Sequence, residues 1–316
     1  MSYIYTPKEF FLSNSSLNRG EDCAKKLFVS KFFPSEERKM DGIPALVGQA
    51  MHRGIQHFLE FGKETDAIYT MMQNFPLEEC PDPKHDRSLE ACYGTMQEIF
   101  MSPFFQQYEP VWINVNGVKK CALEVPFKIR MDGAFLDRAN AIPISYIGFI
   151  DAILFDRVTG SYIVVDFKTH RNRMHDLSGM YRFDGQCLPY GLALEQLLGR
   201  DVKTGLDVIY LSIFIDEKDP TVKTYKYGKT YEDIQWWLHK LQLSVYQYQY
   251  MFQNEFWPRT NDGRHCMPYN SKCHVLDFCS LQDPAAIYKH IYADMKPEKI
   301  KDQSFEPWIE FNLKAA

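Results

Sequence analysis

The sequence predicts an α/β fold in which a mixed central β-sheet is flanked by helices. Strand patterns occupy the middle of the chain, helix patterns lie on both sides of them, and two of the strands have the pattern of a hairpin. The chain has 316 residues, of which 45% are hydrophobic and 24% are charged, and this excludes a disordered or collagen-like protein. No apolar run reaches the roughly 18 residues that a membrane-spanning helix needs, so we expect no membrane partner.

The first predicted elements are two helices and a strand. Apolar residues recur at helical spacing over residues 43–61 and again over residues 88–100, where Pro103 ends the second pattern. Residues 121–129 then alternate apolar and polar side chains, which is typical of a half-buried strand.

A predicted β-hairpin follows this strand. Residues 146–155 are mostly apolar, residues 156–160 have the composition of a turn, and residues 162–168 form the partner strand. The second strand is apolar on both faces around its charged end, which indicates a central strand of the sheet.

Three elements complete the pattern. A helix is predicted over residues 186–198, a strand over residues 206–215, and a long helix from about residue 230 to residue 256. Thr230 and Asp233 have the spacing of a capping box, which predicts that the long helix begins at Thr230.

Charged residues lie at one end of the predicted hairpin. Asp166 and Lys168 are two residues apart on one strand and therefore point to the same face, and Asp151 lies on the neighbouring strand. Burying charges in a sheet is unfavourable unless they pair or bind a cation. Two interpretations follow, namely a structural ion pair between Asp166 and Lys168, or a site for a divalent cation.

An aspartate at residue 151 followed by Asp-Phe-Lys at residues 166–168 resembles the active-site signature of the PD-(D/E)XK nuclease superfamily. Two further motifs are similar to those of its RecB-like branch, which includes CRISPR-associated exonucleases. They are Gly48-Gln-Ala-Met-His52 on a predicted helix and Gln186-Cys-Leu-Pro-Tyr190 on a later one. The resemblance implies a restriction-endonuclease-like core and a metal-dependent nuclease.

The resemblance also implies roles for individual residues. Lys168 would be the catalytic lysine, acting with Asp151 and Asp166. The implied ligands of Mg²⁺ or Mn²⁺ are His52, Asp151, Asp166 and the backbone carbonyl of Phe167. Glu124, on the preceding strand, would either support this site or lie on the surface.

Four more residues are candidates for substrate contacts. Gln186 and Tyr190 lie four residues apart, on one face of the predicted helix, and the resemblance implies that they contact DNA or the framework of the active site. Pro189 departs from the family pattern because it would kink that helix. Arg171 and Arg173 lie just after Lys168 and would either hold a phosphate backbone or belong to a solvated loop.

The eight cysteines fall into two groups. Cys266, Cys273 and Cys279 are close in sequence, and together with Cys23 they resemble the four ligands of a 4Fe–4S cluster that joins N- and C-terminal helical segments in several RecB-like nucleases. The gap of six residues after Cys266 departs from the commoner spacing, so Zn²⁺ or plain buried thiols remain alternatives. Burial in the hydrophobic core is enough to explain the cysteines of the other group, which are Cys80, Cys92, Cys121 and Cys187.

The leading hypothesis is a metal-dependent exonuclease acting on single-stranded DNA in recombination, repair, replication or CRISPR-like processing. The formal net charge of −5 excludes a protein that coats nucleic acid non-specifically. No Gly-x-x-x-x-Gly-Lys-Ser/Thr motif occurs, so unwinding would need a helicase or recombination partner. The alternative hypothesis is a catalytically inactive nucleic-acid-binding or scaffold subunit with the same fold.

We expect one RecB-like nuclease domain over residues 1–295, with its core at about 43–256. Cys23 and residues 257–282 would form the cluster region, and residues 296–316 would form a tail that packs on the same domain. The N-terminus lacks a signal-peptide pattern, so we expect a cytoplasmic protein, and the size and cysteine layout also resemble those of bacteriophage nucleases.

Overall fold

The structure is a computed structural model that describes residues 8–32, 42–78, 80, 87–131, 141–170, 176–216, 218–254, 256–267, 273, 276–279 and 304–313. The chain forms two compact units. We call Asp41–Pro126 together with Phe149–Trp237 the central unit. The terminal unit comprises Met1–Met40, Phe127–Gly148 and Leu238–Ala316.

Helices and strands alternate along the described residues. The helices are α1 (Asn14–Asp22), α2 (Ala24–Phe32), α3 (Ile43–Phe61), α4 (Glu64–Gln73), α5 (Leu89–Met101), α6 (Phe104–Gln107), α7 (Ser178–Phe183), α8 (Leu188–Leu198), α9 (Tyr231–Gln253), α10 (Gly263–Cys266) and α11 (Leu276–Cys279). The strands are β1 (Phe10–Leu12), β2 (Tyr108–Pro110), β3 (Trp112–Val115), β4 (Val118–Cys121), β5 (Leu123–Arg130), β6 (Ile144–Asp156), β7 (Ser161–His170), β8 (Leu206–Phe214), β9 (Thr221–Lys229) and β10 (Ile309–Asn312). Within the described part of the chain, every helix is too short or too polar to cross a membrane.

The central unit contains a mixed sheet flanked by helices. Strand β7 pairs antiparallel with β6 and parallel with β8, and β9 pairs antiparallel with β8. Helices α3 and α5 pack against β7, β8 and β9, while α7 and α8 also contact β9 and β8. Because side chains alternate along β7, Ile163, Val165 and Phe167 join the core with α3 and α5, and Asp166 and Lys168 point to the opposite face.

The terminal unit is built on short strand pairings and an aromatic core. Strand β1 pairs with the first residues of β6, and β10 pairs in parallel with β5. Phe10 packs edge-on against Phe252, at 5.1 Å between ring centroids, and Phe28 stacks on Trp257 at 4.7 Å. Residues 309–312 of the predicted tail therefore lie against their own chain, as expected.

Most predicted elements are confirmed by the structure. Helix α3 has the predicted bounds, helix α5 begins after Ser88, whose side chain accepts a hydrogen bond from the backbone N–H of Ala91, and β6 and β7 form the predicted hairpin. The capping box is also present, because Thr230 and Asp233 each accept a hydrogen bond from the other's backbone N–H. The helix predicted from residue 186 was placed too early, since α8 begins at Leu188.

Candidate active site

The hairpin and helix α3 place the candidate catalytic residues within the central unit. Ala152 pairs with Val165; Asp151 directly precedes Ala152 and Asp166 directly follows Val165, so the two carboxylates lie at the same end of the hairpin. His52 lies on α3, which packs against β7. A Cβ atom at Gly48 would lie 3.0 Å from Oγ1 of Thr169, so the missing side chain permits this close approach, as the sequence predicted.

Asp166, Lys168 and Gln186 form a closed set of polar contacts. The Nζ of Lys168 lies 2.7 Å from Oδ2 of Asp166, whose side chain is only 1% exposed. The same Nζ donates to Oε1 of Gln186 at 2.8 Å, and Nε2 of Gln186 donates to Oδ1 of Asp166 at 3.0 Å. Gln186 therefore fixes the relative position of the amine and the carboxylate.

A second group lies around Asp151. One ligand atom from each of His52, Glu124 and Asp151 lies within 4.8 Å of the others. Nδ1 of His52 is 4.0 Å from Oδ2 of Asp151, and that oxygen also accepts a hydrogen bond of 2.8 Å from the backbone N–H of Phe167. Two carboxylates and an imidazole fit a divalent cation, Mn²⁺ more readily than Mg²⁺.

The role of one residue of this group was left undecided by the sequence analysis, and the neighbour that positions it was missed. Glu124 belongs to the candidate metal group, and Nε2 of Gln56, one helical turn after His52, donates to Oε1 of Glu124 at 2.6 Å. Glu124 also has a φ of 46°, a left-handed conformation that is strained for a residue with a side chain. The available sequence signal was the position of Gln56 on the same helix face as His52.

Burial governs the protonation of the acidic residues. Loss of solvent raises the pKa of Asp166 to about 7, with a further contribution from the charge of Asp151, and burial likewise raises the pKa of Asp151 to about 7. Burial opposes the charge of Lys168, but the Asp166 carboxylate outweighs it and raises the pKa of Lys168 to about 12. Burial also lowers the pKa of His52, so its imidazole is neutral at pH 7 and can act as a ligand.

The structure changes the interpretation of the predicted substrate contacts. Gln186 precedes α8, so it does not share a helical face with Tyr190, and Pro189 lies in the first turn of α8, where a missing N–H breaks no helical hydrogen bond. The expected kink is therefore wrong. Tyr190 is 3% exposed and belongs to the framework of the central unit, whereas Arg171 and Arg173 lie outside the described residues.

The four candidate cluster cysteines line one cavity of the terminal unit. Cys23, Cys266, Cys273 and Cys279 surround a volume of about 280 Å³, together with Lys26 and Arg259. The backbone N–H of Cys273 donates to the carbonyl of Cys266 at 2.9 Å. Among the described residues, no three of these thiols come within 4.8 Å of one another.

Comparisons with known proteins give a family and weak structural similarities. A family model described as the PD-(D/E)XK nuclease superfamily matches residues 12–280. A crystal structure of a proposed exonuclease from Eubacterium rectale is 15% identical, with 91% of this chain and 94% of that chain covered and a TM-score of 0.45. The structure of SSO0001 is 12% identical, covers 62% of this chain and 74% of that chain, and has a TM-score of 0.20. No curated protein matches the chain.

Proposed function

The chain belongs to the PD-(D/E)XK nuclease superfamily, and we propose that it is an active, metal-dependent deoxyribonuclease that degrades single-stranded DNA from an end. One observation carries the catalytic part of this proposal. The buried ion pair of Asp166 and Lys168 and the metal-binding group of His52, Glu124 and Asp151 lie in the same unit, joined by the hydrogen bond from Phe167 to Asp151. A purely structural ion pair would not need the second group.

The residues divide the catalytic work between them. A divalent cation bound by His52, Glu124 and Asp151 would polarise a phosphate oxygen and neutralise part of the carboxylate charge. Lys168, which stays protonated, would donate to the phosphate as negative charge develops on it. Gln186 would hold the amine of Lys168 in place, and Asp166, as the second acidic residue of the motif, would turn toward the metal or keep its contact with Lys168.

The preference for single-stranded ends rests on the order of the RecB-like motifs from His52 to Tyr190 and on the missing phosphate-binding loop of a helicase. We infer that a separate helicase or recombination enzyme supplies the unwound strand. The same motif order supports a role in recombination, repair, replication or CRISPR-like processing.

We also propose that the four cysteines of the terminal unit bind a 4Fe–4S cluster. The proposal is supported by the cavity that all four cysteines line, since four thiolates are the ligand set of such a cluster. Lys26 and Arg259 at the cavity would offset the negative charge of four thiolates. Residues 23–32 and 257–279 would then be tied together at their cysteines.

The test is cleavage of end-labelled single-stranded DNA by anaerobically purified protein with Mg²⁺, with Mn²⁺ or with EDTA. We expect the wild type to shorten the DNA from one end in a metal-dependent reaction. The cleavage rate of Asp166→Asn should be at least a thousandfold lower. Asp201→Asn, a change of an exposed aspartate in the same unit, is the control and should cut normally. Retained DNA binding with no cleavage under any metal would support the inactive binding subunit instead.

A further inference from the structure

An exposed aromatic residue lies three residues before Gln186, which contacts both Lys168 and Asp166. Phe183, the last residue of α7, is 83% exposed, although a phenylalanine ring is normally buried. Three peptide units separate its Cα atom from that of Gln186 by at most about 11 Å. The ring is therefore presented to solvent close to the predicted catalytic pair.

The backbone beneath this ring is held rigidly. The Nζ of Lys229, a buried residue of β9, donates to the carbonyl oxygens of Tyr181, Arg182 and Asp184 at 3.2, 2.8 and 3.0 Å. These carbonyls lie at the end of α7, where backbone oxygens lack the full set of helical hydrogen bonds; the carbonyl of Tyr181 also accepts from the backbone N–H of Asp184 at 3.3 Å. A fixed backbone lowers the entropy that Phe183 would lose on binding a ligand.

A positive charge accompanies the ring. The guanidinium carbon of Arg182 lies 5.8 Å from the centre of the Phe183 ring, within the range of a cation–π contact. The carboxylate next in sequence, Asp184, accepts a hydrogen bond of 2.9 Å from the backbone N–H of Gln186. An exposed aromatic face beside an arginine is the combination that binds an unpaired nucleobase together with its phosphate.

We propose that Phe183 stacks on an unpaired base of the DNA strand close to the scissile phosphate, and that Arg182 contacts an adjacent phosphate. This inference rests on the proposed nuclease function and gives it a structural basis for strand preference. In duplex DNA both faces of a base are covered by neighbouring pairs, so Phe183 selects single strands or frayed ends. Phe183 and Arg182 are thus positioning residues for the substrate.

The test uses Phe183→Leu, which keeps an apolar side chain but removes the aromatic face, and Phe183→Trp, which keeps it. We expect Phe183→Leu to raise KM for single-stranded DNA between about 5-fold and 150-fold with little change in kcat, and Phe183→Trp to restore KM. KM for blunt duplex ends should not change. Arg182→Gln should reduce the slope of log affinity against log salt by about one. Phe61→Leu, at a 56% exposed phenylalanine at the end of α3, is the matched control.

Binding measured without cleavage separates this inference from the proposed function. Lys168→Met in the presence of Mn²⁺ allows binding to be measured without cleavage. The fluorescence of 2-aminopurine placed near the end of a single strand should be quenched when the strand binds this protein. Adding Phe183→Leu should remove the quenching. If the wild type cuts but Phe183→Leu leaves KM and quenching unchanged, the stacking role is wrong. If the wild type does not cut but Phe183-dependent quenching persists, the nuclease proposal fails while base stacking stands.

Discussion

The side-chain amine of Lys168 lies 2.7 Å from Oδ2 of Asp166, and Gln186 bridges the two by accepting from one and donating to the other. With Asp151 nearby, the site holds two carboxylates and one ammonium in a region with little solvent. The arrangement is stable only if a proton or a cation offsets the remaining negative charge. Gln186 therefore sets the position of the Lys168 amine, whereas a proton or a cation balances the charge of the carboxylates. Separate variants can test these two effects.

Gln186→Leu should lower kcat at least tenfold, because the Lys168 amine loses one of its two acceptors and is then held by Asp166 alone. Metal affinity should stay within about twofold, since Gln186 does not belong to the group of His52, Glu124 and Asp151. The measurements are single-turnover cleavage and Mn²⁺ titration. Gln196→Leu, at an exposed position of α8, is the control, and an equal loss of metal affinity in Gln186→Leu would contradict the assignment.

Gln56→Leu should weaken Mn²⁺ binding by about 10- to 100-fold, because Gln56 orients the Glu124 carboxylate from outside the metal group. Cleavage should recover when the metal concentration is raised, which distinguishes lost affinity from lost chemistry. Calorimetric titration of wild type, Gln56→Leu and Gln49→Leu checks this, the last being an exposed position on the same helix. Unchanged affinity in Gln56→Leu would show that this hydrogen bond does not position a metal ligand.

Substitution of alanine at two helix glycines, Gly48 and Gly94, should affect stability and activity differently. A Cβ at Gly94 meets no atom within 4 Å, so Gly94→Ala should raise the free energy of unfolding by about 1 kcal/mol. Gly48→Ala should gain less stability and lose activity, since its Cβ would press on Thr169 and displace the helix that carries His52. Adding Thr169→Ala should restore activity. Denaturant unfolding and cleavage rates test both changes.

Cys273→Ala should abolish the visible colour of anaerobically purified protein and lower its iron and sulfide content to background, if the four cysteines bind a cluster. Cys92→Ala, at a buried cysteine of the central unit, should keep the iron. Metal analysis of both variants separates the alternatives. Stoichiometric zinc with no sulfide in the wild type would replace the cluster with a zinc site.

Much of the fold and part of the site follow from local sequence patterns. The periodicity of residues 43–61, the hairpin of β6 and β7 and the capping box at Thr230 are local signals, and the structure confirms them. Helix α8 was placed two residues early because apolar spacing does not show where the first helical turn begins, whereas Pro189 does.

Long-range contacts account for the rest. The contact of Gln56 with Glu124 joins residues 68 positions apart, and no spacing rule predicts such a pair. The β3–β4 hairpin was also missed in the sequence analysis. Its turn contains Asn116 and Gly117, and an Asn-Gly pair is the strongest short-range sequence signal for such a hairpin because both residues tolerate the positive φ seen here. Helices and strands are thus easier to predict from the sequence than the hydrogen-bond partners of individual catalytic side chains.

The stability of the metal-free protein should fall as pH rises from about 4 to about 7. The pKa values of Asp151 and Asp166 are raised to about 7 in the folded protein from 3.8, so the folded state binds more protons than the unfolded state across this window. The slope of unfolding free energy with pH is then negative, at about 1.4 kcal/mol per pH unit for each such proton. Lys168 contributes no slope here because its pKa is raised to about 12.

Between pH 5 and pH 8 in EDTA, we therefore expect the Tm to drop by about 5–10 °C, which Mn²⁺ should largely reverse at pH 8. Asp166→Asn removes one of the two carboxyls, so it should flatten this dependence and melt higher than wild type at pH 8. Asp201→Asn should follow the wild-type curve. A metal-free Tm that stays level over this range would show that both carboxylates are already ionised in the folded protein at pH 5, with Lys168 outweighing the effect of burial.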